Sequence, residues 1–363
     1  MASISIPFYL CLLAICAKFA PQLAYDMPRP IFFLGDSTAD VGTNNLLHGS
    51  KLTANFLPNG VDFPRSQPTG RFSNGFNTAD ELAKLFGLKR SPPPYLFLLT
   101  LGSHQFKRRV LRGANFASGG AGILDKTNSD KTVMPLSEQI NQFTSLHGNF
   151  TAMMGAPKTE AMLNKSLFFI SIGSNDILNY SPREDGTGDA FISLLIATYS
   201  KHITTLYEMG ARRFGIISIP PVGCCPHSRL KQFKKNGSTS CDSTMNDLAR
   251  AFHSALNTLL LHISSKLLGM KYSLGNTYQM TYDIINRKSF GFHDVESACC
   301  GHGNLNAQGP CNSTALSCPD RLKYLFWDMY HPTQVASTME AVALYLGPFY
   351  VSPISFGQLA GDN

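Results

Sequence analysis

Charged residues are scarce in this sequence of 363 residues: Asp, Glu, Lys and Arg make up only 15% of it, against roughly 25% in typical soluble domains. Intrinsic disorder needs high charge and few apolar residues, and here 44% of the residues are hydrophobic. The composition therefore favours a folded chain with a large core. Internal repeats and low-complexity tracts are also missing, which argues against a purely structural wall protein.

A long hydrophobic run is missing as well. The most apolar uncharged stretch, residues 4–17 (ISIPFYLCLLAICA), has about 14 residues, whereas a bilayer span needs roughly 20. We interpret residues 1–24 as a secretory signal peptide, with Ala20 and Ala24 as candidate cleavage points and a buried N-terminal helix as the alternative. We expect residues 25–363 to form a secreted, extracellular domain without a transmembrane segment.

Positive charge is not concentrated anywhere. The net charge is +7, and basic residues cluster only in short runs at 107–109 and 231–235. Such clusters are more typical of a solvated basic face than of a nucleic-acid groove, so we expect no nucleic-acid partner.

Cysteine is restricted to the second half of the mature chain. Two of the nine cysteines fall in the proposed leader, and the other seven lie in loop-like sequence at 224, 225, 241, 299, 300, 311 and 318. In an oxidising compartment this pattern indicates a local disulfide framework, with at least one cysteine left free or paired between chains. Zinc is the alternative, although a Cys-x-x-Cys pair is missing. Five sequons also fit secretion and predict N-glycosylation at Asn149, Asn164, Asn179, Asn236 and Asn312.

Short apolar runs alternate with helical patterns along the chain. Continuous apolar sequence predicts buried strands, and 3.6-residue periodicity predicts helices at 78–86 and 242–270. This alternation predicts an α/β fold with a parallel sheet covered on both faces, whose ligands bind at the carboxyl ends of the strands. The predicted strands are 30–35, 110–116, 166–173 and 213–220.

Polar and glycine-rich loops follow three of these strands. Ser37 follows the first, the glycine-rich segment 118–122 the second and Asn175 the third, while Asp328 and His331 lie near the C-terminus. Each has a structural interpretation when taken alone: a helix N-cap for Ser37, an Asx turn for Asn175 and a surface pair for Asp328 and His331. The glycine-rich loop matches neither a dinucleotide fingerprint nor a P-loop.

Taken together, these residues supply every part of an acyl-transfer site. Ser37 is the candidate nucleophile, His331 its base, and Asp328 the group that orients and stabilises the imidazole. The backbone N–H of Ser37, a glycine N–H of the Gly119-Gly120 pair and the Asn175 amide are candidate donors to an oxyanion. Such chemistry calls for neither a metal nor a cofactor.

The motifs that carry these residues resemble those of the GDSL, or SGNH, family of serine esterases and lipases, and in particular its large plant branch. The matching segments span 31–333 in the family's order: FFLGDSTADVGTNN, GANFASGGAGIL, ISIGSND, IPPVGC and FWDMYHPT. The Gly-x-Ser-x-Gly elbow of ordinary α/β-hydrolases is absent.

This resemblance implies a single-domain, flavodoxin-like SGNH hydrolase fold over residues 25–363, with a parallel sheet of about five strands between helices. It implies Ser37, Gly120 and Asn175 as the oxyanion-hole residues, and Asp328 and His331 as the triad partners of Ser37. Cys224 and the cysteines at 299, 300, 311 and 318 also look like family features. Cys225 does not, and it is our candidate for the unpaired thiol.

The expected function is that of a secreted, glycosylated carboxylic-ester hydrolase of the cell wall or apoplast, acting on lipid or acetylated-polysaccharide esters through an acyl-enzyme. An acyltransferase of the cutin-polymerising type would use the same residues, and a non-catalytic glycan- or lipid-binding protein is a further alternative. We expect the acyl pocket to be lined by the loops at 46–63 and 92–103.

Overall fold

A computed structural model describes residues 29–287 and 291–361. The proposed signal peptide, with Cys11 and Cys16, lies outside the described residues. Across the described ranges, none of the helices combines the length and apolar character needed to cross a bilayer.

The centre of the molecule is a six-stranded sheet. Its order is β2-β1-β3-β4-β5-β10; the first five strands are parallel, and β10 pairs antiparallel with β5. An order of 2-1-3-4-5 is that of flavodoxin-like folds, so the predicted α/β class and mostly parallel sheet are confirmed. The strands are β1 Ile31–Gly35, β2 Gly113–Asn115, β3 Leu167–Ser171, β4 Arg213–Ile217, β5 Lys271–Gly275, β6 Asp294–Ala298, β7 Cys300–Gly301, β8 Leu316–Ser317, β9 Tyr324–Phe326 and β10 Val351–Ser352.

Helices cover both faces of the sheet. In chain order they are α1 Thr78–Leu85, α2 Tyr95–Leu99, α3 Ser103–Val110, α4 Leu136–Met154, α5 Ala156–Lys165, α6 Ser174–Leu178, α7 Pro182–Asp185, α8 Gly188–Glu208, α9 Pro226–Asn236, α10 Ser243–Lys266, α11 Thr277–Arg287, α12 Gln334–Leu346 and α13 Phe356–Leu359. The predicted helices at 78–86 and 242–270 correspond to α1 and α10, each slightly shorter than predicted.

The two faces of the sheet have separate apolar cores, because successive strand side chains point to opposite sides. Phe32 and Phe168 pair across β1 and β3 and pack with the face that carries α4, α8 and α10. Phe33 and Phe169, one residue on, pack on the other face with α1, α12 and α13. Burial on both faces explains why these strands are apolar throughout rather than alternating.

The second predicted strand is shorter than its apolar sequence suggested. Val110 ends helix α3 rather than starting a strand, and β2 covers only Gly113–Asn115. Val110 is nonetheless fully buried, since the amphipathic helix α3 places it against the core. An apolar residue beside a strand can be buried by either element, and periodicity over so short a run does not separate them.

The cysteines form three disulfides in the second half of the chain, as predicted. The bridges join Cys224 to Cys241, Cys299 to Cys318 and Cys300 to Cys311, and Cys225 is free and buried. Four of these sulfurs surround Trp327, which is fully buried. Six of the seven cysteines considered for the zinc alternative are therefore in disulfides, and in that form they supply no thiolate ligand.

We expect the chain without residues 1–24 to carry one free thiol. Alkylation of unfolded, non-reduced protein, followed by peptide mass spectrometry, should label Cys225 alone, and the folded protein should react slowly because that thiol is buried. A Cys225→Ser variant should not be labelled. Opening one bridge should cost about 2–5 kcal/mol of unfolding free energy. Alkylation at any of the six bridged positions in wild-type protein would contradict this disulfide pattern.

Candidate active site

The turn that presents Ser37 follows directly from the end of β1. Gly35 adopts a φ of +151° and its Cα faces the carbonyl oxygen of Ser171, where a side chain would collide with the neighbouring strand β3. The Asp36 N–H then donates to that same carbonyl at 3.0 Å. Ala39 and Asp40 donate their N–H groups back to the Asp36 carbonyl, which closes the turn. Ser37 therefore lies at the carboxyl edge of the sheet, where β1 and β3 diverge and parallel folds bind ligands.

The other half of the site comes from the loop that follows β9. Asp328 Oδ1 accepts the N–H groups of Tyr330 and His331 at 2.8 and 2.9 Å, which folds the loop so that acid and imidazole face each other. His331 Nδ1 lies 2.8 Å from both Asp328 oxygens, and His331 Nε2 lies 2.7 Å from Ser37 Oγ. The three side chains form one continuous hydrogen-bonded line, in which Asp328 fixes the tautomer that leaves Nε2 free to accept the Ser37 proton.

Trp327 and the two disulfides packed around it hold this loop in position. Trp327 donates its N–H to the His331 carbonyl at 2.7 Å and its indole N–H to Asn59 at 2.9 Å. The Cys300 N–H donates to the Trp327 carbonyl at 2.6 Å. The bridges at Cys299 and Cys300 thus tie down the residue on which the His331 loop is anchored.

The surroundings of His331 favour the protonated, charged form of its imidazole. Burial by itself lowers the pKa of His331, but the charge of Asp328 and its hydrogen bond, with a smaller contribution from Asp36, outweigh burial and raise the pKa above its ordinary value. The Phe72 ring packs beside the imidazole, with 5.0 Å between ring centroids.

The glycine-rich loop after β2 and the loop after β3 bring further donors to the same place. Gly119 donates its N–H to Asp40 at 2.9 Å, whereas the N–H groups of Gly120 and Ser37 have no acceptor among residues 29–287 and 291–361. Of the two glycines of the doublet, only Gly120 is therefore free to serve a ligand. The Asn175 amide donates one hydrogen to the Ala121 carbonyl at 2.9 Å and has a second hydrogen available.

A cleft of about 500 Å³ contains this group of residues. Within the described part of the chain, Leu52 is the one residue of the predicted loop 46–63 that lines it, and no residue of 92–103 does. The expectation for the second loop was wrong, because that segment forms helix α2 and packs beside the edge strand β2 instead. The cleft wall is built mainly from Ser37, Phe72, Gly120, Asn128, Lys131, Asn175, Asn179, Ile217, Pro221, Val222, Cys225, His227, Lys231, Met280, Ile284, Leu325, Phe326, Tyr330, His331, Ala336 and Glu340.

Three buried polar residues behind the site had no role in the sequence analysis. Gln139 on α4 clamps the end of β1, accepting the Gly35 N–H and donating to the Gly35 carbonyl, both at 2.8 Å. The Asp40 carboxylate accepts the Gly119 N–H within the glycine-rich segment, and the Asp176 carboxylate accepts the N–H of Ile123, which directly follows that segment. Asp40 and Asp176 lie inside the motifs that carry Ser37 and Asn175, so motif position was an available signal. Gln139 lies outside those motifs, and no local pattern marks it.

Comparison with known proteins gives one family by sequence. The family model for GDSL-like lipase/acylhydrolase matches residues 31–343. The chain is 39% identical to the GDSL esterase/lipase At5g55050 of Arabidopsis thaliana over 91% of this chain and 89% of that protein. It is 34% identical to the GDSL esterase/lipase At1g33811 of the same plant, over 94% and 93%. A solved carbohydrate esterase aligns at 15% identity over 68% of this chain and 59% of its own, with a TM-score of 0.33.

The environment of His331 predicts its titration. Its imidazole should titrate above the ordinary value of about 6.5. Asp328→Asn should lower the pKa below that value, because burial, the largest single effect, is then opposed only by the weaker charge effect of Asp36. Both can be read from the imidazole C–H signals in an NMR pH titration, with His331→Ala identifying the resonance. A wild-type His331 pKa of 6 or less would show that the Asp328 charge does not dominate.

Proposed function

The chain belongs to the GDSL-like lipase/acylhydrolase family and is a carboxylic ester hydrolase, and we propose that it works through Ser37, His331 and Asp328 as its catalytic triad. The observation that carries this proposal is the hydrogen-bonded line from Asp328 through His331 to Ser37 Oγ, with 2.8 and 2.7 Å between successive atoms. Such a line activates a serine hydroxyl, which is otherwise a weak nucleophile.

The reaction proceeds in two halves. Ser37 Oγ attacks the ester carbonyl carbon and passes its proton to His331 Nε2, while the carbonyl π electrons move to oxygen. His331 then gives that proton to the leaving alcohol as the C–O bond breaks, which leaves an acyl group on Ser37. Water, deprotonated by His331, attacks the acyl carbon, and the carboxylic acid leaves as Ser37 regains its proton. Asp328 stays ionised and stabilises the imidazolium in both halves.

The tetrahedral intermediate carries its negative charge on the former carbonyl oxygen. We assign the Ser37 N–H, the Gly120 N–H and the second Asn175 amide hydrogen as the donors to this oxyanion. Support comes from their free hydrogens and from their common position on the wall of one cleft. Donors placed before the reaction stabilise the developing charge more than they stabilise the neutral carbonyl.

The apolar side chains on the cleft wall favour esters with an apolar acyl chain. One part of the wall, which we call the apolar lobe, is formed by six clustered side chains: Cys225, Met280, Ile284, Leu325, Phe326 and Ala336. An acetyl group would leave this lobe empty, whereas a longer chain would bury its methylenes there at a gain of about 0.8 kcal/mol each. Lipid-type esters therefore fit the cleft better than acetylated polysaccharides.

We further propose that the protein is secreted and glycosylated. The predicted leader, the three disulfides and the sequons support an oxidising, extracellular route such as the cell wall or apoplast. Asn149, Asn179 and Asn236 are exposed, whereas Asn164 and Asn312 are partly buried. Asn179 also lines the cleft, so a glycan there would stand at the mouth of the site.

A panel of esters tests the proposed activity, from acetylated xylan to long-chain triacylglycerol, with Ser37→Ala as the control. The wild type should hydrolyse lipid-type esters and react with a fluorophosphonate, and Ser37→Ala should do neither. Full hydrolysis by Ser37→Ala would overturn the triad, and an inactive wild type would favour a glycan- or lipid-binding protein. Acyl transfer to added glycerol in preference to water would identify the acyltransferase alternative.

The Asn175 assignment predicts a chemical defect rather than a folding defect. Asn175→Ala should lower kcat by about 10²–10³-fold, the usual cost of one oxyanion donor, with little change in KM because the ground state gains less from that donor. The measurement is kcat, KM and the thermal midpoint of both proteins, side by side. A variant that melts like wild type and keeps more than a third of its kcat would make Asn175 a turn residue only.

The apolar lobe predicts a change in chain-length preference. Cys225 is 4% exposed on the lobe wall, and Cys225→Phe should fill part of the lobe and lower kcat/KM for p-nitrophenyl decanoate about 10-fold or more relative to the acetate. Retained acetate hydrolysis shows that the variant is folded, and Cys225→Ser serves as the size-matched control. If only a series of longer alcohol groups loses activity, the lobe binds the alcohol part instead.

A further inference from the structure

The glycine-rich loop that supplies Gly120 is anchored on one side by a buried carboxylate. Asp40 is fully buried, and its Oδ2 accepts the Gly119 N–H at 2.9 Å. Its Oδ1 accepts the N–H groups of Gly42 and Thr43, both at 2.7 Å. Since the Asp40 N–H donates to the Asp36 carbonyl, one side chain links the turn of Ser37 to the residue immediately before Gly120.

A second buried carboxylate anchors the other side of the same loop. Asp176, 2% exposed, accepts the Ile123 N–H on Oδ2 at 2.8 Å. Its Oδ1 accepts the Leu124 N–H at 3.1 Å and the Thr127 hydroxyl at 2.7 Å. Asp176 directly follows Asn175 at the start of α6, so it joins the Asn175 donor to the residues after Gly120.

Gly120 lies between these two anchors with few contacts of its own. Its carbonyl accepts the half-buried Asn128 amide at 2.9 Å, and its N–H is free among residues 29–287 and 291–361. Its φ of +83° is a conformation that favours glycine. The Gly119 carbonyl, which lies in the same peptide plane as the Gly120 N–H, accepts the Asn44 amide at 2.8 Å. The direction of the Gly120 N–H therefore depends on how the residues on both sides of it are held, and Asp40 and Asp176 fix Gly119 and Ile123.

We propose that Asp40 and Asp176 are positioning residues of the oxyanion site. By accepting hydrogen bonds from the loop on both sides of Gly120, they keep the Gly120 N–H directed to the same point as the Ser37 and Asn175 donors. This inference rests on the proposed function. Neither carboxylate lines the cleft, so both act through the backbone of the loop and not on the substrate.

Carboxylates suit this task because an ionised carboxylate accepts hydrogen bonds on both oxygens and donates none. Each of the two accepts three bonds from the loops that it joins. An asparagine can accept on its single oxygen only, and its NH₂ would face an N–H donor on the other side. At position 40 we expect the asparagine oxygen to keep Gly42 and Thr43, so the Gly119 contact is the one that is lost.

The carboxyl groups of Asp40 and Asp176 stay ionised at neutral pH although they are buried. Burial raises the pKa of Asp40 and of Asp176 to about 6 in each case, and the backbone and hydroxyl donors oppose that rise. Both carboxyls are therefore mainly ionised at neutral pH, the form in which all six acceptor contacts are available.

The test compares Asp40→Asn and Asp176→Asn with wild type, at pH 8, by steady-state kinetics and by inhibition with an alkyl trifluoromethyl ketone. In that adduct Ser37 Oγ bonds to the ketone carbon, its proton passes to His331, and the ketone oxygen becomes an oxyanion. Each variant should lose about 10–100-fold in kcat, less than the removal of a donor, with KM changed less than threefold. The inhibition constant should weaken by the same factor as kcat/KM.

Asp242→Asn is the matched control, because Asp242 also accepts a backbone N–H and an amide N–H, at the start of α10 and away from the loop. It should leave kcat and inhibition unchanged. Asn128→Ala keeps the test decisive if a carboxylate variant does not fold. This half-buried residue donates to the Gly120 carbonyl itself, so the kcat of the Asn128→Ala variant should fall several-fold.

The inference is overturned if folded Asp40→Asn and Asp176→Asn keep kcat within threefold of wild type, if only KM changes, or if ketone inhibition does not follow kcat/KM. The same holds if Asn128→Ala keeps wild-type kcat when the carboxylate variants do not fold. Failure of the proposed function has a different signature, because Ser37→Ala would then retain activity and the ketone would not inhibit wild type.

Discussion

The hydrogen bond from Ser37 Oγ to His331 Nε2 is the contact on which the organisation of the site depends. It joins residues 294 positions apart, so it exists only when the first strand and the C-terminal loop are both in place. The register of β1 against β3 fixes the position of Ser37 at the edge of the sheet. Trp327, which is packed between two disulfides, fixes the position of His331. Stability of the core and geometry of the site are therefore linked through a few buried anchors.

Around this contact, the buried carboxylates are bonded. Asp328, Asp40 and Asp176 each accept several N–H or O–H donors, which compensates the cost of removing a carboxylate from water. The buried Gln139 amide is bonded as well, because it accepts from the Gly35 N–H and donates to the Gly35 carbonyl at the end of β1. The N–H groups of Ser37 and Gly120, two residues that line the cleft, have no acceptor among residues 29–287 and 291–361. Unpaired donors of this kind are what the proposed oxyanion site requires.

The sequence predicted a large part of this arrangement because its signals are local. The apolar run before Ser37, the glycines of 118–122 and the spacing of Asp328 and His331 each describe a few adjacent residues, and the parallel sheet brings the ends of such runs to one edge. The number and position of the cysteines indicated a disulfide framework with at least one cysteine left over, and the family resemblance pointed to Cys225 as the unpaired one. The extent of β2 and the walls of the cleft were not predicted, because they depend on how α2, α3 and α11 pack.

The amino-acid sequence by itself determined the α/β class, the order of the apolar segments along the chain and the candidate site residues. These follow from composition, periodicity and motifs. The tertiary structure decided which hydrogens are free. The residue types of Gly119 and Gly120 do not distinguish the two N–H groups, whereas in the structure the Gly119 N–H is bonded to Asp40. The apolar lobe, which we propose to bind the acyl chain, likewise combines Cys225, Met280, Leu325 and Ala336 from separate segments of the chain. No local pattern encodes such a surface, because it exists only once the segments are packed.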